Sequence, residues 1–238
     1  MNGLNMNPVR ASRSVVAFTR TELLVVVVAL LFAFSVIAPG VVKWKQKARR
    51  IQCVSFLKQI GLAHRVFAND HTNAATGTGL YTMSVSTNDG GSREFIGTGQ
   101  AFRHYLKMSN ELGSAKVLVC WSDRERTARP DFTSLANSNV SYFVGLGADE
   151  LKPNLLLAGD RQLTNDLPRV GGIMTVTTNQ TVRWANSIHQ GAGNVALADG
   201  SVQQSTTAAM NNQIRGVTQS PGWEPSTALN LTNRLEFP

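Results

Sequence analysis

The sequence predicts an α+β chain: one long N-terminal helix, apolar in its first half and amphipathic in its second, packed on an antiparallel β-sheet head. Three observations lead there. Residues 23–42 read LLVVVVALLFAFSVIAPGVV, a stretch without a formal charge. Cys53, Phe56, Leu57, Ile60, Ala63 and Phe67 then recur at steps of three and four, the apolar stripe of an amphipathic helix. From residue 116 onward, short apolar runs alternate with turn-forming residues, the pattern of strands joined by tight connections.

The elements follow in order. As a helix, residues 23–42 rise about 30 Å, enough to cross the hydrocarbon core of a bilayer. A secretory signal peptide has a shorter apolar core ending at a small-residue cleavage site, and a buried core helix carries a polar stripe. The run is therefore read as a transmembrane helix. Glu22 stands at its start, where the helix dipole favours a carboxylate. Pro39 lies near its far end, where the missing backbone donor tends to kink a helix. Lys43, Lys45, Lys47, Arg49 and Arg50 follow the run and Arg10, Arg13 and Arg20 precede it. The positive-inside rule alone would put the C-terminal side in the cytoplasm.

Neither Gly nor Pro interrupts residues 41–60, so the helix is expected to continue to about Asn69. Residues 72–100, rich in Thr, Ser, Asn and Gly, read as a long loop. Strands are expected within 116–120, 140–145, 154–158, 172–177, 182–188, 194–198 and 201–204. Asp199-Gly200 between the last two is a hairpin signal. The tail beyond Thr218 has little periodicity.

The chain has a formal charge of +8. All of it lies in residues 1–70, where ten Lys and Arg face only Glu22 and Asp70; the remainder carries equal numbers of basic and acidic residues. The head therefore has no electrostatic footprint for a polyanion, and no nucleic-acid partner is expected. There is no Gly-x-Ser-x-Gly elbow, HExxH, P-loop or paired CxxC, so no enzyme is expected and no catalytic residues are assigned.

One segment resembles a known processing site. Ala17-Phe18-Thr19-Arg20-Thr21-Glu22-Leu23-Leu24 is similar to the Gly-Phe-Thr-Leu-Ile-Glu junction that precedes the long apolar run of prepilins. The resemblance implies cleavage by prepilin peptidase between Ala17 and Phe18 and methylation of the new N-terminus. Glu22 then falls at the family's acidic position, which pairs with an N-terminal amine during assembly, and Pro39 falls where many pilins carry a proline. Ala17 departs from the usual Gly, and Arg20 and Thr21 replace two apolar residues. The stretch KARRIQCVSFLKQIGLAHRVFAND and the fragment VLVCWSD resemble a large, multi-copy group of prepilin-like proteins; in the second, Trp121 replaces a proline. HQGAGNVALADG, from His189 to Gly200, is similar to that group's His-x-Gly-x-x-Asn-Val-x-x-x-Asp-Gly signature.

The resemblance implies a type IV pilin-like protein or type II secretion pseudopilin: a structural subunit of a secretion pseudopilus or pilus-like filament, assembled through its N-terminal helix. The alternatives are a minor pilin or adhesin, and a membrane-anchored extracytoplasmic binding protein or enzyme. The expected division is a leader at 1–17, a transmembrane helix at 18–42, an amphipathic spine at 43–70 and a β head at 71–238. The expected location is the bacterial inner membrane, single-pass, with the head outside the cytoplasm. Expected partners are prepilin peptidase, other pilin-like subunits, the inner-membrane assembly machinery and membrane lipid. With the head outside, Cys53 and Cys120 are suited to a disulfide; the alternative is two small buried apolar residues. Asp160, His189, Asn194 and Asp199 are either turn residues or a polar cluster able to take a cation. Calcium is the cation some secretion pseudopilins hold, but no EF-hand spacing occurs and no firm metal or cofactor is assigned.

Overall fold

A computed structural model of the chain describes residues 19–176, 180–218 and 234–238, with the backbone alone for 36–43. The expected processing pair Ala17 and Phe18 lies outside the described residues, as does the side chain of Pro39. The fold divides into two units, Met1–Lys45 and Gln46–Pro238.

In the first unit, helix α1 (Arg20–Asp70) begins. Its start is a capping box: the Thr19 hydroxyl accepts from Glu22 N at 3.2 Å, and Glu22 Oε2 accepts from Thr19 N at 2.9 Å. Glu22 is held below the usual carboxylate range by the bonds its Oε2 accepts from Thr19 N and, at 2.8 Å, from the Thr19 hydroxyl. Beyond the cap, apolar side chains are exposed around the helix, Leu24 at 64% and Phe32 at 73%.

Among the described residues no helix is long and apolar enough to cross a membrane. The transmembrane half of the expected fold class and the single-pass inner-membrane location are overturned by that finding.

The second unit is α+β. Cys53, Leu57, Ile60, Ala63 and Phe67 of α1 are buried, and so are His64 and Ala68 on the same face. The short helices α2 (Phe102–Leu106) and α3 (Ser109–Leu112) follow an irregular stretch that is nonetheless packed, with Tyr81 and Met83 in the core. Glu94 organises part of that stretch, accepting from Ser86 Oγ at 2.8 Å and Thr87 N at 2.7 Å.

Eight strands are described: β1 (Tyr142–Gly145), β2 (Leu156–Asp160), β3 (Leu163–Thr164), β4 (Ile173–Thr175), β5 (Arg183–Trp184), β6 (Ala192–Leu197), β7 (Val202–Thr206) and β8 (Arg234–Glu236). Six form an antiparallel sheet in the order β4-β8-β1-β2-β6-β7, and β3 pairs with β5 apart from it. The Asp199-Gly200 turn joins β6 to β7, with Gly200 at φ +83°, a conformation glycine adopts without a Cβ penalty. Helix α4 (Thr207–Thr218) follows β7 directly. The sheet's two faces feed separate apolar clusters. One contains Tyr142, Val144, Ala158 and Ala196 with the buried face of α1. The other contains Phe143, Val195, Trp184 and Leu235 with Met210 and Ile214 of α4.

The run at 116–120 is not a strand but a 3-10 turn, Ala115–Leu118. Ser114 Oγ caps it by accepting from Lys116 N, and the run lacks the alternation that separates a strand from a buried helical turn.

Candidate functional site

Alternation along antiparallel strands decides which polar residues meet. Tyr142 lies opposite Asp160 between β1 and β2, and Gly159 lies opposite Val195 between β2 and β6. One position on, Asp160 therefore faces Asn194. Tyr142, Asp160 and Asn194 form a row across three strands on the face covered by α1, all fully buried. Asp160 Oδ2 accepts from the Asn194 backbone N at 2.7 Å and from its Nδ2 at 3.0 Å.

His189 comes from the loop before β6. Its Nε2 lies 3.4 Å from Asp160 Oδ2 and 3.4 Å from Cys120 Sγ. Gln162 fixes that loop: its Oε1 accepts from Ile188 N at 2.7 Å and His189 N at 3.3 Å, and its Nε2 donates to Ala192 O. Cys120 is bonded to Cys53 of α1, so the disulfide is present and the site sits against it. Arg50, one turn earlier on α1, donates to Gly193 O at 3.5 Å.

Burial pushes the Asp160 carboxyl up to about 7, against the opposing pull of the Asn194 bonds and the Arg50 charge. Burial, then Arg50, pushes His189 down to about 4. Burial thus disfavours the charged form of each group, so their 3.4 Å contact is not a salt bridge between full charges. Asp160 Oδ1, Asn194 Oδ1, Tyr142 OH and Arg50 Nε are buried without a partner, so this polar interior holds unused donors and acceptors.

Of the four residues read from the sequence as a polar or cation cluster, the fold brings Asp160, His189 and Asn194 together and leaves Asp199 apart. Asp199 is exposed in the hairpin turn, its Oδ1 accepting from Ser201 N at 2.8 Å and its carbonyl from Arg65 at 2.9 Å. The remaining set has one carboxylate beside an arginine, which does not suit calcium's need for six to eight oxygens. Cys53, Cys120 and His189 do present ligand atoms within 4.8 Å of one another.

Sequence reasoning missed Arg50, Tyr142 and Gln162. Gln162 carries one local signal: it stands two residues past Asp160, the same-face spacing of an extended chain. It also missed two further polar groups. Arg161 grips Asp123 through Nε at 2.7 Å and Nη2 at 2.9 Å; burial would raise the Asp123 carboxyl, but the bonds and charge of Arg161 together with the bond from Glu125 N hold it below its ordinary value. Elsewhere Ser92 Oγ and His104 Nδ1 pair at 2.7 Å, while His104 Nε2 lies 3.3 Å from Glu236 Oε2. The order Ser-His-Glu matches a hydrolase set, but all three are fully buried, so the serine has no approach for a substrate. This trio instead ties β8 to the segment before α2.

Compared with family models, with curated proteins and with solved structures, the chain matches none.

Proposed function

We propose that the chain is a structural subunit of a pilin-like filament, a secretion pseudopilus or type IV pilus-like fibre, assembled by packing its N-terminal helix against those of other subunits. The observation that supports this is the start of α1. A Thr19–Glu22 capping box opens the helix immediately after the Ala17-Phe18 junction, and apolar side chains exposed around the helix follow it. Each exposed Leu, Val or Phe that becomes covered in an assembly contributes about 1.5–3 kcal/mol, so a bundle of such helices is strongly favoured over separate ones. The capping box fixes the helix start two residues beyond the cut and leaves the Glu22 carboxylate at the helix end, where an amine from a neighbouring subunit can reach it.

The test is the N-terminal mass of the native protein, made with and without prepilin peptidase, together with recovery of filaments after shear. The expected result is a chain beginning at methylated Phe18 only when the peptidase is present, and filaments that disappear in Phe32→Asp while the head keeps its disulfide. A chain retaining Met1 in both strains, or filaments unaffected by Phe32→Asp, refutes the proposal.

A further inference from the structure

We infer that His71 is a pH-operated clasp: doubly protonated, its ring holds the turn at 86–90 to the end of α1, and loss of one proton releases one of its two bonds. This goes beyond the filament reading and does not rest on it.

His71 follows α1 directly and is half-buried, so solvent protons reach its ring. Its backbone N donates to Ala68 O at 3.2 Å, the tighter spacing common at a helix end. The ring takes the carbonyl one residue earlier, with Nδ1 2.9 Å from Phe67 O. On its other side Nε2 lies 3.0 Å from Asp89 O, in the short 3-10 turn Thr87–Asp89. Both partners are backbone carbonyls, which only accept. A neutral imidazole has one N–H and one bare nitrogen, so it serves one of them and sets a lone pair against the other. Only the imidazolium, with an N–H on each nitrogen, satisfies both contacts.

Two further features suit a cation at this place. The last carbonyls of a helix are the negative end of its dipole, and α1 has no basic residue in its last turn. A protonated His71 supplies the positive charge that this end lacks. The ring also lies flat on Phe67, with centroids 4.0 Å apart and planes 8° from parallel, and an aromatic face attracts a cation.

The ionisable groups of the elements around the ring are mostly acidic. Asp70 precedes it on α1, and Asp89 belongs to the turn itself. Glu94 holds that turn through Ser86 Oγ and Thr87 N and is paired with Arg93 at 3.8 Å. Segment 72–79 has no ionisable residue, and its Gly79 N donates to Glu150. Four carboxylates thus stand against one arginine. Histidine changes charge between about pH 5 and pH 8, so the clasp is closed at the acid end of that window and loosens as pH rises.

The experiment uses the full, disulfide-bonded chain and amide hydrogen exchange read by NMR, with protection expressed relative to the intrinsic rate at each pH. Asp89 N, Gly90 N and Gly91 N close the turn. Their protection is expected to fall about fivefold between about pH 5 and pH 8, the effect of one hydrogen bond. At about pH 5 both ring N–H protons of His71 should be visible and slow to exchange. His71→Phe keeps a ring to stack on Phe67 but has no donor. Its turn should be at least as open at about pH 5 as the wild type is at about pH 8, and should not respond to pH. Because His64, His104 and His189 remain in both proteins, the comparison subtracts them. Unchanged turn protection in the wild type across the window overturns the inference, as does the same pH response in His71→Phe. A wild-type ring that holds only one slow N–H at about pH 5 also overturns it, and that reading needs no variant to fold.

Discussion

Replacing His64 by Leu should make the head less sensitive to acid. His64 lies on the buried face of α1, four residues past Ile60, and both its ring nitrogens are buried without a hydrogen-bond partner. It meets Tyr81 and Tyr105 edge-on, with ring centroids 5.7 Å and 6.4 Å away. Burial, and then the nearby His104, push it down to about 3 from an ordinary 6.5. The unfolded chain therefore takes up a proton near pH 6.5 that the folded chain refuses until near pH 3. The stabilisation is fully present above pH 6.5 and is lost as pH falls towards 3, so unfolding is increasingly favoured across that window. At about 1.4 kcal/mol per unit, the loss between pH 6.5 and pH 4 is on the order of 3 kcal/mol.

His189, lowered to about 4, acts in the same direction over nearly the same window. Asp160, raised from 3.8 to about 7, acts oppositely: the folded chain keeps a proton that the unfolded chain has lost, so its contribution falls as pH rises from about 4 to 7. Comparing wild type with His64→Leu at each pH subtracts both. Urea unfolding followed by circular dichroism measures the difference. Between pH 6.5 and pH 4 the variant should lose roughly 3 kcal/mol less stability than wild type. At pH 7 it should be at least as stable, because Leu leaves no unpaired nitrogen in the core. Parallel pH dependences for the two proteins refute the reasoning, since they mean that His64 does not carry the acid sensitivity.

Two further perturbations test the frame around the site. Reducing the Cys53–Cys120 disulfide in the presence of a chelator opens a loop with a sequence separation of 67, for which chain entropy predicts a loss of about 4 kcal/mol, read as a lower urea midpoint; an unchanged midpoint means that the loop is already closed by other contacts. Gly145→Ala should cost about 1–3 kcal/mol or more and lower the melting temperature of the head, because the added Cβ would stand 1.8 Å from the Leu156 carbonyl and must force β1 from β2; an unchanged melting temperature shows that the two strands can separate freely.

Much of the head was legible along the chain. The three-and-four spacing of Cys53, Leu57, Ile60, Ala63 and Phe67 marks the face of α1 that is buried, because a helix turns its side chains at a period the sequence displays. Asp199-Gly200 marks the β6–β7 turn because that backbone conformation suits glycine. The run at 116–120 shows where such reading stops: a fully buried segment has no period, so turn and strand look alike until the capping serine is seen in place. Strand β8 carried no signal, because three residues are too few for alternation, and helix α4 was missed although Met210 and Ile214 stand at helical spacing. The apolar run at 23–42 was over-read, since hydropathy alone does not establish a span.

What the sequence determined by itself is local: helix, hairpin, apolar stripe, and two cysteines suited to pairing. The tertiary structure decided which distant residues share a site. Asp160 and Asn194 meet because β2 and β6 pair in one particular register, and a shift of one residue would turn Asp160 to the opposite face. Cys53, Cys120 and His189 come from a helix, a turn and a loop, brought together by packing against that sheet face. Asp199, only five positions past Asn194, is carried away by the turn between them. Spacing along the chain cannot express any of this, because side-chain proximity here is a property of sheet register and of burial, both of which exist only once the chain has folded.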